Sequence, residues 1–375
     1  LNNFIKEVTP MAFTALDVKN LREKTGVGMM ECKKALTEAD GDMDRAFEIL
    51  RERGLAASEK KASRIAAEGA VIAYTDEDSK VTVLLEINSE TDFVGKNEKF
   101  QEFGLSVAKT IAANKPASVE ALAELPLVGT DRTVTEGLND LILVIGENIK
   151  IRRFEIVEGD VVTYIHAGGS VGVAVKFETN LTDKAEFTAM GKNIAMQIAA
   201  MSPEYLSQES ISADELAKMK SITIDSSLNK PDSLPKPILT ALFDKAIADN
   251  LFSAEDAAAY EENKKSQYLF NFLSKEAVAT LASLAVAGKE EYINNKIFSG
   301  AVEGRIKKQI KEICLLEQPF VRSDLFDGSV AGYVANVAKT TGADIKVESF
   351  VRLVKGEGLE KREDNFADEV ANMVK

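Results

Sequence analysis

One stretch of the chain is written twice. Val71-Ile-Ala-Tyr74 is matched by Val161-Val-Thr-Tyr164, and Val81, Val83, Leu85 and Ile87 are matched by Val171, Val173, Val175 and Phe177. Apolar residues at period two mark strands with one face on a core. A helix follows in each copy. Phe100, Phe103, Val107 and Ile111 in the first, and Phe187, Met190, Ile194 and Ile198 in the second, share a 3-4-4 spacing, one apolar face of an α-helix. Gly104 matches Gly191, and Pro116 matches Pro203, each proline ending its helix region. Residues 71–116 and 161–203 are therefore expected to form a duplicated strand–strand–helix unit. A third strand is expected to complete each copy: residues 151–158 after a helix near 136–147, and residues 349–355 after a helix near 329–340. The fold class that follows is α+β, with small antiparallel sheets.

The copies differ at one place. Their offset is 90 residues along the strands and 87 along the helices, so three extra residues lie in the first copy between Ile87 and Phe100. That segment holds Glu90-Thr91-Asp92-Phe93-Val94-Gly95-Lys96, whereas the second copy passes through Asn180-Leu-Thr-Asp183 with no aromatic. Locally, two readings of Phe93 are open: a plug folded back under the turn, or a ring offered to a partner. A feature found in only one of two equivalent loops is not required by the shared scaffold. The repeat therefore favours a functional loop.

Charge narrows the ligand. The 375 residues carry a formal net charge of −14, with a sequence pI near 4.9. That argues against direct nucleic-acid binding, which draws on clustered Lys and Arg. A protein or small-molecule partner suits an acidic chain better. Cys32 and Cys314 lie far apart in helix-like segments, so buried reduced thiols in a reducing compartment are expected. No stretch approaches the roughly 18 apolar residues of a membrane span. Ala277–Ala287, the longest small-apolar run, is interrupted by Thr280 and Ser283. No membrane partner is expected, and the cytoplasm is the expected location. The first residues carry Lys6 and Glu7 rather than a secretory apolar run, and Met11 could be a start, so residues 1–10 read as an extension.

From Asp17 three short helices are expected. Val18 and Leu21 stripe the first, which Thr25-Gly26 ends; Met30, Ala35, Leu36 and Ala39 fit a second, stopped by Gly41. Asp42 can cap a third, with Met43, Ala46, Phe47 and Leu50 on one side before Gly54. Met29 and Met30 follow a glycine turn. Methionine serves binding surfaces, but a buried filler is the commoner use and is the expectation here.

Catalytic chemistry finds little support. His166, in Tyr164-Ile-His-Ala-Gly-Gly-Ser170, is the one histidine, so a two-histidine metal site is impossible and no cysteine cluster replaces it. Gly168-Gly-Ser-Val-Gly172 has the Gly-x-Ser-x-Gly spacing, but its glycines fit a tight β-turn better than a nucleophile elbow, and no triad presents itself. There is no phosphate loop of the Gly-x4-Gly-Lys-Ser/Thr kind. Glu86, Glu90 and Asp92 could pair as acid and base, but carboxylates so spaced more often line a solvated face. No enzyme activity, metal or cofactor is expected.

Leu21-Arg-Glu-Lys-Thr-Gly-Val-Gly-Met-Met-Glu-Cys-Lys-Lys-Ala-Leu36 closely resembles the N-terminal motif of the translation elongation factor Ts family. Thr91-Asp-Phe-Val94 resembles the centre of that family's second motif, and Gly146-Glu-Asn-Ile-Lys-Ile-Arg-Arg153 and Gln318-Pro-Phe-Val321 resemble further signatures. Gly95 departs from the family's usual Ala or Ser, a change expected to loosen the turn. The resemblance implies guanine-nucleotide exchange on elongation factor Tu. It implies that Thr91, Asp92, Phe93 and Val94 disturb the partner's Mg²⁺ and nucleotide site, that Arg22, Met29 and Met30 touch its GTPase domain, and that His166 meets another domain. The rival reading is an adaptor that binds through a ubiquitin-associated-like bundle and leaves nucleotide in place.

The expected division is an extension over residues 1–14, a ubiquitin-associated-like three-helix bundle over 15–55 and a solvated helical linker over 56–68. The first core subdomain takes 69–159. The second takes 160–220 and 301–359, interrupted by an enlarged helical insertion over 221–300, where the family commonly has a short helical hairpin. A C-terminal helical module over 360–375 follows, with Phe366, Val370 and Val374 on one side of a helix from Asp364.

Overall fold

The computed structural model describes residues 12–360. The extension over residues 1–10 and the helix from Asp364 lie outside the described residues. Along the chain come α1 (Ala15–Thr25), α2 (Met29–Glu38), α3 (Met43–Lys61), β1 (Glu68–Asp76) and β2 (Val81–Ser89). Then come α4 (Glu98–Asn114), α5 (Val119–Ala123), α6 (Val134–Ile145), β3 (Lys150–Glu158), β4 (Asp160–His166), β5 (Val171–Thr179) and α7 (Lys184–Met201). Six helices follow: α8 (Ala213–Leu228), α9 (Lys236–Ala248), α10 (Ala254–Asn263), α11 (Lys275–Ala287), α12 (Lys289–Ile293) and α13 (Lys296–Ile313). Finally α14 (Val330–Thr341) and β6 (Ile345–Val354) close the second copy. Two compact units result, residues 12–200 with 334–360, and residues 201–333.

In the first unit, α1 starts at a capping box. Thr14 Oγ1 accepts from the Asp17 N–H at 3.3 Å while Asp17 Oδ2 accepts from the Thr14 N–H at 2.7 Å. Phe13, just ahead of the cap, is buried in the same cluster as Val18, a hydrophobic staple. Phe13 and Thr14 thus belong to the bundle and not to an extension. Helix α3 does not stop at Gly54 but continues through Lys61. It packs on α6: Leu143 and Val144 join the bundle core, Arg51 pairs with Glu136, and the Arg132 guanidinium lies 4.5 Å from the Phe47 ring centroid.

The two sheets are antiparallel, in the orders β1-β2-β3 and β4-β5-β6. Val81, Val83, Leu85 and Ile87 meet Phe100, Phe103, Val107 and Ile111 of α4 in one core. The other face of β2 is not solvated: Leu84 is buried with Val71, Ala174 and Leu353 where the sheets pack on each other. The expectation of a strand with one buried face is corrected by this sheet-on-sheet layer.

The duplication holds in detail. A Cβ on Gly104 would overlap Ile72 and one on Gly191 would overlap Val162, residues at matching places in β1 and β4. Each helix crosses its sheet at the point where it has no side chain. Each sheet also has a β-bulge at the matching position, with Arg152 the extra residue opposite Glu86–Ile87, and Glu348 opposite Lys176–Phe177. Even the approach to the closing helices repeats, as isolated antiparallel bridges Pro126–Thr133 and Pro319–Ser329.

The unit of residues 201–333 is helical and wider than the insertion expected over 221–300: residues 201–220 and 301–333, expected in the second core subdomain, belong to it as well. Its core gathers Leu228, Phe243, Leu281, Phe298 and Val302, and the Phe243 and Tyr260 rings stack at 4.1 Å. Asp256 ties two helix starts together: its carboxylate accepts from Ser253 Oγ at 2.7 Å and from the Ser274 N–H at 2.8 Å. Cys32 and Cys314 are buried and unpaired, and burial pushes the Cys314 thiol up to about 11. Among the described residues, no helix is long and apolar enough to cross a membrane.

Candidate functional site

The segment between β2 and α4 is a short, pinned turn. Ser89 Oγ donates to the Thr91 carbonyl at 2.8 Å, and the Thr91 N–H and Oγ1 donate to the Glu147 carboxylate at 3.0 and 2.7 Å. On the far side Val94 is buried, its carbonyl accepts from the Asn97 N–H at 2.9 Å, and Asn97 caps α4. Between these stems Asp92 is exposed, and Phe93 is 78% exposed. The plug reading of Phe93 is excluded by that exposure.

Gly95 is buried against the backbone of Gly69, with its carbonyl accepting from Gln101 Nε2 at 2.6 Å. A Cβ on Gly95 would overlap the Gly69 carbonyl oxygen. Here glycine is a close-packing residue rather than a source of looseness.

The expected row of solvated acids is not present. Glu86 is fully buried, its carboxylate accepting from Arg153 Nε at 2.6 Å, the Gly356 N–H at 2.7 Å, Arg152 Nη1 at 2.9 Å and Asn88 Nδ2 at 3.1 Å. Burial pushes its carboxyl up, but the Gly356 N–H, the two arginines and Asn88 together hold it below its ordinary value. Glu90 accepts from the Asn148 N–H at 2.6 Å and pairs with Arg64 at 3.3 Å. Both carboxylates are tied to the scaffold by donors from neighbouring segments. Only Asp92 of the three is exposed.

The remaining candidates lie on other elements of the same unit. Met29 and Met30 are 55% and 65% exposed, so the expectation of core fillers is corrected: Leu21, Cys32, Ala35 and Leu36 already complete the bundle core. Arg22 is exposed on α1. His166 is exposed at the end of β4, with Nδ1 3.0 Å from Tyr164 Oη. These groups do not converge on one pocket, but the scaffold ties them. Lys99 Nζ, in the first turn of α4, donates to the Gly26 carbonyl between Arg22 and Met29 at 2.8 Å. The Val71 N–H donates to Gly169 in the His166 hairpin at 2.8 Å, two residues along β1 from the glycine that meets Gly95. Among the described residues, no cluster of three or more His, Cys, Asp or Glu could hold a metal ion.

Sequence reasoning did not single out Glu147, Lys99, Gly69 or the two arginines on Glu86. Glu147, Arg152 and Arg153 stand inside the Gly146–Arg153 signature, which was the available signal.

Comparison with known proteins agrees with this architecture. A family model described as "Elongation factor TS" matches residues 90–357. A protein of Syntrophotalea carbinolica named "Elongation factor Ts" is 40% identical over 368 residues, covering 97% of this chain and 100% of that protein. Proteins of the same name from Clostridium perfringens and Clostridioides difficile are 39% and 38% identical, over 96% of this chain and 98% and 99% of theirs. The chain is thus a translation elongation factor, with the α+β fold and exposed aromatic turn described above. Within that class it belongs to the elongation factor Ts family.

Proposed function

We propose that this chain is a guanine-nucleotide exchange factor for elongation factor Tu, acting through the Asp92–Phe93 turn. The observation that carries the reading is the 78% exposure of Phe93 on a turn pinned at both stems, in the one copy of the repeat that has it. On this reading the ring enters the GTPase domain beside the nucleotide-associated Mg²⁺, Asp92 accompanies it, and GDP loses its hold. Burying a phenylalanine gains about 1.5–3 kcal/mol, which offsets strain imposed on the partner. A thousandfold faster release needs about 4 kcal/mol of transition-state stabilisation, so the ring does not act alone. Arg22, Met29, Met30 and His166 would hold the partner elsewhere and brace the scaffold behind the wedge. By linkage, rebinding of nucleotide must weaken the factor's grip, which releases it for another cycle.

The test is stopped-flow release of labelled GDP from elongation factor Tu. The native chain should speed release severalfold or more, and Phe93→Ala should bind the GTPase while losing most of that effect. A Phe93→Ala variant as fast as the native chain would remove the wedge mechanism. Binding by the native chain with no change in GDP release would leave the adaptor reading in its place.

A further inference from the structure

The repeat allows the functional turn to be compared, bond by bond, with a copy that lacks it. Strand register equates Glu90 with Asn180, Asn148 with Asp344, and Glu147 with Ala343. One bond is common to both copies. Glu90 Oε1 accepts from the Asn148 N–H at 2.6 Å, and Asn180 Oδ1 accepts from the Asp344 N–H at 2.8 Å. In each case the residue after the middle strand fastens the entry to the closing strand, so this bond belongs to the scaffold.

The bonds to Glu147 have no such counterpart. Both Glu147 oxygens accept from Thr91, the residue next to Asp92, whereas Ala343 has no side-chain acceptor. The added acceptor accompanies the added turn. Glu147 also sits on a firm base, directly after Gly146, which ends α6 in the left-handed conformation. Helix α6 is held in turn by the Arg51–Glu136 pair and by Leu143 and Val144 in the bundle core.

We infer that Glu147 is a positioning residue that fixes the Asp92–Phe93 turn in its inserting pose and joins it through α6 to the N-terminal bundle. The role in exchange rests on the function proposed above; the role in holding the turn does not. A ring free to reorient occupies the inserting pose for only part of the time, and the maximal rate falls by that fraction. Losing two hydrogen bonds to a carboxylate corresponds to a fall of at least about tenfold. Partner affinity, set largely by surfaces elsewhere, should change little.

The chain contains no tryptophan, so Phe93→Trp supplies a single fluorescent probe at the turn. In the free protein, adding Glu147→Ala should lower the probe's anisotropy, whereas adding Asn180→Ala, which removes the matching scaffold bond of the second copy, should not. Glu147→Gln, which keeps one acceptor, should fall between and serves if the alanine variant does not fold. Unchanged anisotropy with Glu147→Ala, or an equal loss with Asn180→Ala, overturns the assignment. With Phe93 restored, Glu147→Ala should cut the maximal rate of GDP release at least about tenfold at an unchanged half-saturating concentration. An unchanged maximum also overturns it. If the native chain does not speed GDP release, the exchange reading fails while the anisotropy still decides the positioning role.

Discussion

Lys176 occupies in the second sheet the place that Glu86 occupies in the first, and each is paired with the extra residue of a β-bulge. Arg152 Nη1 lies 2.9 Å from Glu86 Oε1, and Lys176 Nζ lies 3.0 Å from Glu348 Oε2. The geometry is shared and the charges are reversed. Burial differs, since the Glu86 side chain has no exposure while that of Lys176 is 35% exposed.

The difference in burial sets the expected costs. Glu86→Gln removes a charge that two arginines, an amide and a backbone N–H all address, and should lower stability by about 3 kcal/mol. Lys176→Met breaks a pair still open to water and should cost less than about 1 kcal/mol. Urea unfolding of both variants checks the ratio. Equal losses would mean that burial does not separate the two pairs.

Glu86 should also shape the acid limb of stability. Its folded pKa lies below the ordinary value of 4.5, so the unfolded chain binds its proton more readily. The contribution is therefore complete above about pH 4.5 and is lost as pH falls through the folded value. Thermal midpoints measured downward from neutral pH should drop steeply below that point in the native chain and less steeply in Glu86→Gln. Parallel curves would contradict the assignment.

The matched glycines in α4 and α7 should tolerate alanine unequally. On Gly104 the new Cβ meets the tip of Ile72, a Cδ1 that can rotate away; on Gly191 it meets Val162 Cγ2 and Cβ, which cannot. Gly104→Ala should cost about 1 kcal/mol and Gly191→Ala nearer 3 kcal/mol. Ile72→Val should relieve the first and has no equivalent for the second. A reversed order would show that the helices shift rather than the side chains.

How much of this was legible in the sequence depended on the range of the interaction. The repeat, the helix periods and the closing strands could be read because each is a local pattern. Leu84 on the supposed polar face of β2 was the one hint that a second sheet covers it, and that covering is non-local. The burial of Glu86 was hidden for the same reason, because Arg152, Arg153 and Gly356 reach it from distant segments. The exposure of Phe93 could be read because the second copy acts as an internal control. Glu147 could not, since its meaning appears only when Ala343 is seen in the same place.

The exposed methionines of the bundle lead to the last prediction. Met29 and Met30 contribute little to the bundle core, so Met29→Ser and Met30→Ser should change stability by no more than about 0.5 kcal/mol. If they anchor the GTPase, the same changes should weaken its binding by about 1–3 kcal/mol, read by calorimetric titration. At saturating factor, the maximal rate of GDP release should stay near the native value, because these changes leave the proposed wedge and its proposed Glu147 support unaltered. Phe93→Ala should do the opposite, lowering the maximum with a smaller effect on affinity. If the methionine variants bind as tightly as the native chain, α2 does not touch the partner. If they instead lower the maximum, the bundle takes part in the push itself, and the separation of grip from wedge fails.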